Sequence, residues 1–307
     1  MKIIRHATEL PGVPRRVCLA IGVFDGVHLG HQQVIRQTIA DASRFEAASV
    51  VVTFDRHPNN VVAPHAVPAA IYTLEQKLAA IEELGADATL VIPFDEPFSR
   101  RPADDFIRGL LADFGTIQSV CVGREFTFGH RRSGNVALLT ELGRRHNFQV
   151  HGLSSVALDG DIVSSTRIRG CLQAGDFEGA AQMLGRDYLL VGRVTRGDQL
   201  GARLGFPTAN IDVAGLATPP TGVYLVHAFA NRVRVRGVGN LGVRPTVGAS
   251  STVVRLEVHL LDFSGDLYDQ TLGVQFIQRL REERKFSSLE ELQAQIAHDV
   301  DLARRSF

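Results

Sequence analysis

The spacing of apolar residues changes half-way along this chain, and the change dictates two architectures. Up to about residue 184, short apolar runs alternate with segments whose apolar residues recur at helical spacing. Val17–Val23, Ser49–Phe54, Ala88–Ile92, Ser119–Val122 and Phe148–Gly152 read as strands. Leu29–Ser43, Thr73–Leu84, Ala103–Ala112 and Asn135–His146 read as amphipathic helices between them. Alternating β and α predicts a parallel sheet covered on both faces. Such sheets bind ligands beyond the carboxyl ends of their strands.

Beyond that point the pattern turns to period two. Leu189–Thr195, Val223–Ala230, Arg232–Val238, Val253–Asp262 and Val274–Leu280 read as strands, separated by turn signals at Gly197-Asp198, Pro219-Pro220, Ala230-Asn231 and Ser264-Gly265. One amphipathic helix, about Ser288–Arg304, closes the chain. The second half therefore predicts a compact antiparallel barrel with a terminal helix. The fold class is α/β plus β, with domains at 1–184 and 185–307 joined near Leu184–Tyr188. A length of 307 residues suits two domains.

Charge removes some function classes. Lys+Arg and Asp+Glu both total 33, and neither half carries a net charge larger than two. That argues against a protein that grips nucleic acid by its phosphates. The pairs Arg131-Arg132 and Arg144-Arg145 read as solvated faces. Three cysteines without a CxxC pair suit a reducing compartment. Neither a signal-type segment over Met1–Pro14 nor a membrane-length apolar run occurs, so the expectation is a cytoplasmic protein without a membrane or obligate protein partner. Of the three lysines (Lys2, Lys77, Lys285) none follows a glycine, which excludes a Walker-type phosphate loop. Nucleotide phosphates would have to be met by backbone N–H groups, His, Arg, Ser/Thr and metal.

Two segments fit that requirement. Gly22-Val-Phe24-Asp25-Gly26-Val-His28-Leu-Gly30-His31 sits where a strand hands over to a helix. Its glycines allow close backbone approach, and the helix start offers N–H groups to an anion. His28 and His31, three apart, share one helical face and can donate to phosphate oxygens. Val163-Ser164-Ser165-Thr166-Arg167-Ile168-Arg169 places hydroxyls and cations at another helix start. Each has a plainer reading, a helix cap. Together on one sheet they suggest two jaws around a triphosphate.

The histidine segment followed by SSTRIR resembles the nucleotidyltransferase superfamily. With Val52-Thr-Phe-Asp-Arg56-His57-Pro58 and Val122-Gly-Arg-Glu125-Phe-Thr-Phe-Gly129, the chain resembles the prokaryotic bifunctional riboflavin kinase/FAD synthetase family. Leu204-Gly-Phe-Pro207-Thr208-Ala-Asn210, Arg255-Leu-Glu257-Val-His259 and Leu280-Arg-Glu-Glu-Arg-Lys-Phe286 are similar to the kinase half of that family. The resemblance implies a Rossmann-like nucleotidyltransferase domain followed by a six-stranded antiparallel barrel. It implies riboflavin, FMN and ATP as substrates and Mg²⁺ as metal. In the first half it assigns catalysis to His28, His31 and Arg169. Phosphate binding falls to Gly22, Phe24, Asp25, Gly26, Gly30, Ser164, Ser165 and Thr166, and flavin contact to His57 and Glu125. In the second half it assigns metal binding to Thr208 and Asn210, the catalytic base to Glu257, ATP contact to Gly201 and Pro207, and flavin contact to Asn240. Hard oxygen donors two residues apart suit Mg²⁺, and a carboxylate on a strand suits proton acceptance from an alcohol. A salt bridge is the plainer role for Glu257, and a turn for Pro207–Asn210.

The sequence departs from the family pattern at a few positions. Glu125 stands where Asp or Asn is general, Arg56 where Pro is, and Asn135 where many members carry Asp. Gly201 is followed by Ala202, with Arg203 one place later than usual, and Gly239 replaces Ala. Two other readings stay open: a riboflavin kinase with a weakened first domain, and a flavin-binding protein without activity. Gly237-Val-Gly239-Asn-Leu-Gly242 spells GxGxxG, but Val243-Arg-Pro245-Thr246 follows. Pro245 opposes the helix a dinucleotide site needs, so a strand and turn are expected there.

Overall fold

A computed structural model describes residues 1–10, 16–230, 233–245 and 252–307. The chain divides into two compact units, 1–167 and 168–307. The predicted positions Asn231, Arg232 and Thr246 lie outside the described residues, as do Pro11 to Arg15.

The first unit is a six-stranded parallel sheet with helices. Its elements are β1 (Lys2–Ile4), β2 (Arg16–Ile21), α1 (Leu29–Phe45), β3 (Ala48–Phe54), α2 (Leu74–Glu83), β4 (Ala88–Ile92), α3 (Ala103–Phe114), β5 (Thr116–Gly123), α4 (Val136–His146) and β6 (Gln149–Leu153). The five predicted strands and four predicted helices all appear, with ends shifted by a few residues. β1 was not foreseen, because three residues carry no readable period. The order is β1-β4-β3-β2-β5-β6. From β2 the chain winds outward through β3 and β4, then crosses to β5 on the other side. The loop after β2 therefore leaves the sheet at the point where the winding reverses, where a crevice opens beyond the strand ends. Leu19, Ile21, Val50 and Val52 pack with Phe106 and Phe114 in the core. Burial of the central strands explains their unbroken apolar runs.

Helix α5 (Ser165–Ala174) runs across the division at 167/168. α6 (Phe177–Leu184), not foreseen, belongs to the second unit. Its Phe177 ring stacks on Phe276 at 5.5 Å and meets Tyr224 edge-on at 6.3 Å. The barrel consists of β7 (Leu190–Thr195), β8 (Ala209–Asp212), β9 (Gly222–Ala230), β10 (Val233–Pro245), β11 (Thr252–Leu260) and β12 (Thr271–Arg281). It closes in the order β7-β8-β11-β10-β9-β12, antiparallel throughout. β8 is the strand that periodicity missed. Strand β10 runs unbroken through Gly237–Gly242, so the turn expected there is absent. Pairing with β9 on one side and β11 on the other carries it past the end of the apolar alternation. Helix α7 (Leu289–Ser306) begins at Ser288, whose hydroxyl accepts the Glu291 N–H. Val300 and Ala303 of α7 pack with Val223, Leu225 and Val238 on the outside of the barrel.

Candidate functional site

The loop after β2 has an unusual backbone. Phe24, Gly26 and Val27 all have positive φ, at 54°, 78° and 41°. For buried, β-branched Val27 that conformation is strained, and neighbouring side chains hold it. Gln32, itself buried, donates from Nε2 to the Val27 carbonyl at 3.0 Å. A Cβ on Gly22 would meet the Phe24 ring at 3.0 Å, and one on Gly30 would meet the His28 ring at 3.2 Å. These two glycines make room for the side chains around the site.

His28 is not within the helix, as the spacing had suggested, but caps it. Its Nδ1 accepts the His31 backbone N–H at 3.4 Å. The two rings still come together, stacked at 3.6 Å with planes 19° apart. With Nδ1 accepting, the His28 proton sits on Nε2, which leaves an N–H for a ligand. Burial pushes the His28 imidazole down to about 4. Burial, then the neighbouring His28 and Lys77 charges, holds His31 well below its usual value. Both rings are neutral at pH 7. Nδ1 of His31 is buried without a hydrogen-bond partner.

The second segment reaches the first. The Ser165 hydroxyl donates to the Asp25 carbonyl at 3.1 Å, and Ser164 Oγ accepts the Arg167 N–H at 3.2 Å to cap α5. The Asp25 carboxylate accepts the N–H groups of Ile71 and Tyr72 at 3.0 and 3.2 Å, fastening the loop to the chain before α2. Arg167 donates to the carbonyls of Leu158 and Asp161 and holds the short hairpin there. Thr166 is exposed at the helix start, and Arg169 lies one turn further on, beyond the division between the units.

At the end of β3, Asp55 pairs with Arg56 at 3.0 Å and accepts the Phe94 N–H at 2.9 Å. His57 Nδ1 accepts the Asn59 N–H at 3.1 Å. Phe54, Phe94 and Phe98 form an aromatic cluster with centroids 5.3–5.7 Å apart. Glu125 is exposed in the loop after β5. Asn135 caps α4 by accepting the Leu138 N–H at 3.0 Å, a task Asp performs equally well.

In the barrel, strand register assembles the second site. Glu257 lies opposite Asn210 across the β8–β11 pair and opposite Asn240 across the β10–β11 pair. Three residues far apart in sequence thus form one row, Asn210–Glu257–Asn240. Thr208 immediately precedes β8, two residues before Asn210. A cavity of about 280 Å³ on this face is lined by Gly201, Thr208, Asn240, Glu257, His259 and Phe286, among others. A second cavity, about 420 Å³, shares Thr208 and is lined by Pro207, Asp266 and Tyr268. Gly201 is required by close approach: a Cβ there would stand 2.5 Å from the Phe206 carbonyl oxygen. Gly197 lies as close to Asn210, whose Nδ2 would be 2.4 Å from an added Cβ. His259 Nδ1 is 2.8 Å from the Pro207 carbonyl and ties β11 to the loop before β8.

The family described as FAD synthetase matches residues 11–167, and that described as riboflavin kinase matches 184–307. The bifunctional riboflavin kinase/FMN adenylyltransferase of Pseudomonas fluorescens is 40% identical over 304 residues, covering 99% of this chain and 97% of its own. The chain belongs to this bifunctional family. The Haemophilus influenzae enzyme of the same name is 36% identical over 308 residues, covering 100% and 99%. A crystal structure described as a macrolide-efflux protein from Streptococcus pneumoniae has a TM-score of 0.80 at 25% identity and covers 98% of both chains. Efflux remains a description of that protein. Among the described residues of this chain, no helix is long and apolar enough to cross a membrane.

Several residues around the two candidate sites carry no motif signal of their own. Lys77 was noticed only as a lysine outside any phosphate loop, yet it is buried under the histidine loop. Gln32 lay inside an ordinary helical pattern. Arg255 and His259 flank Glu257 at two-residue spacing, so they line the same cavity. The alternation along β11 was the available signal for these two.

Proposed function

We propose that the chain carries out both reactions of its family in succession, with one site in each half. In the barrel, the riboflavin 5′-hydroxyl attacks the γ-phosphorus of ATP. Its proton passes to the Glu257 carboxylate, and the bond to ADP breaks. In the sheet domain, a phosphate oxygen of FMN attacks the α-phosphorus of a second ATP. FAD forms and pyrophosphate leaves. The monofunctional and non-enzymatic alternatives lose their ground, because the relatives match over both halves.

The observation that carries the kinase assignment is the row Asn210–Glu257–Asn240, two of whose members, Glu257 and Asn240, line the cavity. Glu257 takes the proton, and Asn240 orients the flavin beside it. Phe206 and Phe286 supply apolar wall to the isoalloxazine. Pro207 and Gly201 shape the approach of ATP, with Thr208 at the wall shared by the two cavities. Thr208 and Asn210 fit Mg²⁺, because both offer neutral oxygen donors two residues apart. Such a pair leaves most of the coordination to phosphate and water, as Mg²⁺ prefers. When bound, the ion offsets charge on the transferring phosphate.

In the sheet domain, the neutral His28 donates from Nε2 to phosphate oxygens, with His31 stacked against it. The backbone of Gly22, Phe24, Asp25, Gly26 and Gly30 shapes the cradle. The backbone N–H groups of Ser165 and Thr166 at the helix start, with the Thr166 hydroxyl, hold the departing pyrophosphate. His57 and Glu125 flank the flavin, with the Phe54–Phe94–Phe98 cluster as its apolar neighbour. We take the adenylyltransferase region to extend to Leu184, where the riboflavin kinase match begins. We place the protein in the cytoplasm, consistent with three cysteines and no CxxC pair in the sequence.

The test is direct. Purified protein is incubated with riboflavin, ATP and Mg²⁺, and separately with FMN, ATP and Mg²⁺, and the flavins are resolved by chromatography. FAD from both incubations is the expected result. FMN alone from the first and nothing from the second would remove the adenylyltransferase reading.

A further inference from the structure

Lys77 is a buried cation that the two reactions, as described, leave without a task. It lies on α2 with 7% exposure. Its Nζ donates to the Phe54 carbonyl at 2.8 Å, to Thr53 Oγ1 at 3.1 Å and to the Val23 carbonyl at 3.2 Å. Three hydrogens on an ammonium thus meet three acceptors. Thr53 Oγ1 also donates to the Val23 carbonyl, at 3.1 Å. Phe54 ends β3, and the Asp55–His57 loop follows it. Val23 follows β2 and precedes Phe24, where the strained loop begins. One ammonium therefore joins the carboxyl ends of two neighbouring strands, and both ends open into site loops.

Burying an ammonium costs several kcal/mol unless partners compensate. Burial brings this one down to about 8, opposed by the charges of Asp25 and Asp55. A core helix position with no further task would be met more cheaply by Leu or Met. The same loop is tied at two further carbonyls, Asp25 by Ser165 and Val27 by Gln32. Lys77 completes a series in which the carbonyls of residues 23, 25 and 27 are each held by a side chain from another part of the chain or helix.

We propose that Lys77 is a positioning residue for adenylyl transfer, clamping the end of β2 to the end of β3 so that the His28–His31 pair and His57 address one substrate. The inference rests on the adenylyltransferase reading of this loop. It assigns Lys77 no contact with substrate. Without the clamp the strand ends separate, and the phosphate donors lose their placement relative to the flavin.

The experiment uses the full chain and three variants: Lys77→Met, Thr53→Val and the double variant. FAD formation from FMN and FMN formation from riboflavin are both followed. In Lys77→Met, kcat for FAD formation should fall roughly 10²-fold, as for an ångström-scale misplacement. KM for FMN should stay within about threefold, since the loss is in the transition state, and riboflavin phosphorylation should be unchanged. Thr53→Val should lower the same kcat less. The double variant should be no worse than Lys77→Met, because both substitutions break one tie. Unchanged kcat in Lys77→Met, a loss confined to KM, or additive losses would overturn the proposal. Should Lys77→Met fail to fold by circular dichroism, an unaltered kcat in Thr53→Val overturns it and a lowered one upholds it. Wild-type protein that makes no FAD from FMN would instead strike the adenylyltransferase reading itself.

Discussion

The Ser165 hydroxyl donates to the Asp25 carbonyl at 3.1 Å, across 140 residues of sequence. This bond brings the start of α5 to the loop between β2 and α1. It ties a predicted phosphate-binding hydroxyl to the backbone of the predicted phosphate cradle. The bond uses the serine proton, so the lone pairs of Ser165 Oγ remain the side that a water or metal would meet, while N–H groups at the helix start face an anion. The two jaws read from the sequence are thus one hydrogen-bonded unit.

His28→Ala should abolish FAD formation while sparing FMN formation. If its Nε2–H acts in the transition state, the loss in kcat should be roughly 10²–10³-fold. The same variant removes a helix cap, which costs about 1 kcal/mol. Rates for both reactions, measured beside a thermal melt, separate the two effects.

Glu257→Gln should do the reverse. It keeps the size of the side chain and its place between Asn210 and Asn240, but cannot take the hydroxyl proton. FMN formation should collapse, and FAD formation from supplied FMN should persist. Equal rates in variant and wild type would move the base elsewhere in the cavity.

The depressed histidines set a pH dependence of stability. A group whose folded value lies below its unfolded one binds more protons when unfolded, so stability falls as pH drops through that interval. For His28 the interval runs from 6.5 down to about 4. Its contribution is fully present above the upper value and lost below the lower, on the order of 3 kcal/mol in all. Denaturant midpoints of wild type and His28→Gln should converge as pH falls from 7 to 4. A constant separation would show that His28 titrates normally.

Gly201→Ala should impair the kinase selectively. The added Cβ would lie 2.5 Å from a backbone oxygen and 3.3 Å from Thr208 Oγ1, so the loop before β8 must shift. Overpacking of this kind costs about 1–3 kcal/mol. Riboflavin phosphorylation should drop, with adenylyl transfer unaffected. Asn135→Asp, by contrast, restores the residue common in the family and should leave both rates within about twofold, because the two side chains cap a helix alike.

Much of both sites was legible in the residues. His28, His31, Ser165, Thr208, Asn210, Glu257 and Asn240 were all singled out, and the structure places the last two and Thr208 on one cavity. The chain order alone could not show that Asn210 and Asn240 lie on either side of Glu257, since register is a property of paired strands. β8 has four residues and β1 three, too few to display a period. Lys77 stands in an ordinary helical pattern, where a lysine normally faces water. Only the packing of α2 against the ends of β2 and β3 turns it inward.

The alternation of strand and helix in the first half, and of polar and apolar residues in the second, already dictated a parallel sheet and an antiparallel barrel. Periodicity does this because each regular element must bury its apolar side, whatever its neighbours are. The motifs likewise announced which chemical groups were present. Tertiary structure decided which groups meet. It stacked His28 on His31 by capping the helix with one of them, drew Ser165 to Asp25, aligned Asn210, Glu257 and Asn240, and buried Lys77. Such contacts join residues between 3 and 140 positions apart, and the longest of them depend on strand register and crossover order, which no local pattern of residues encodes.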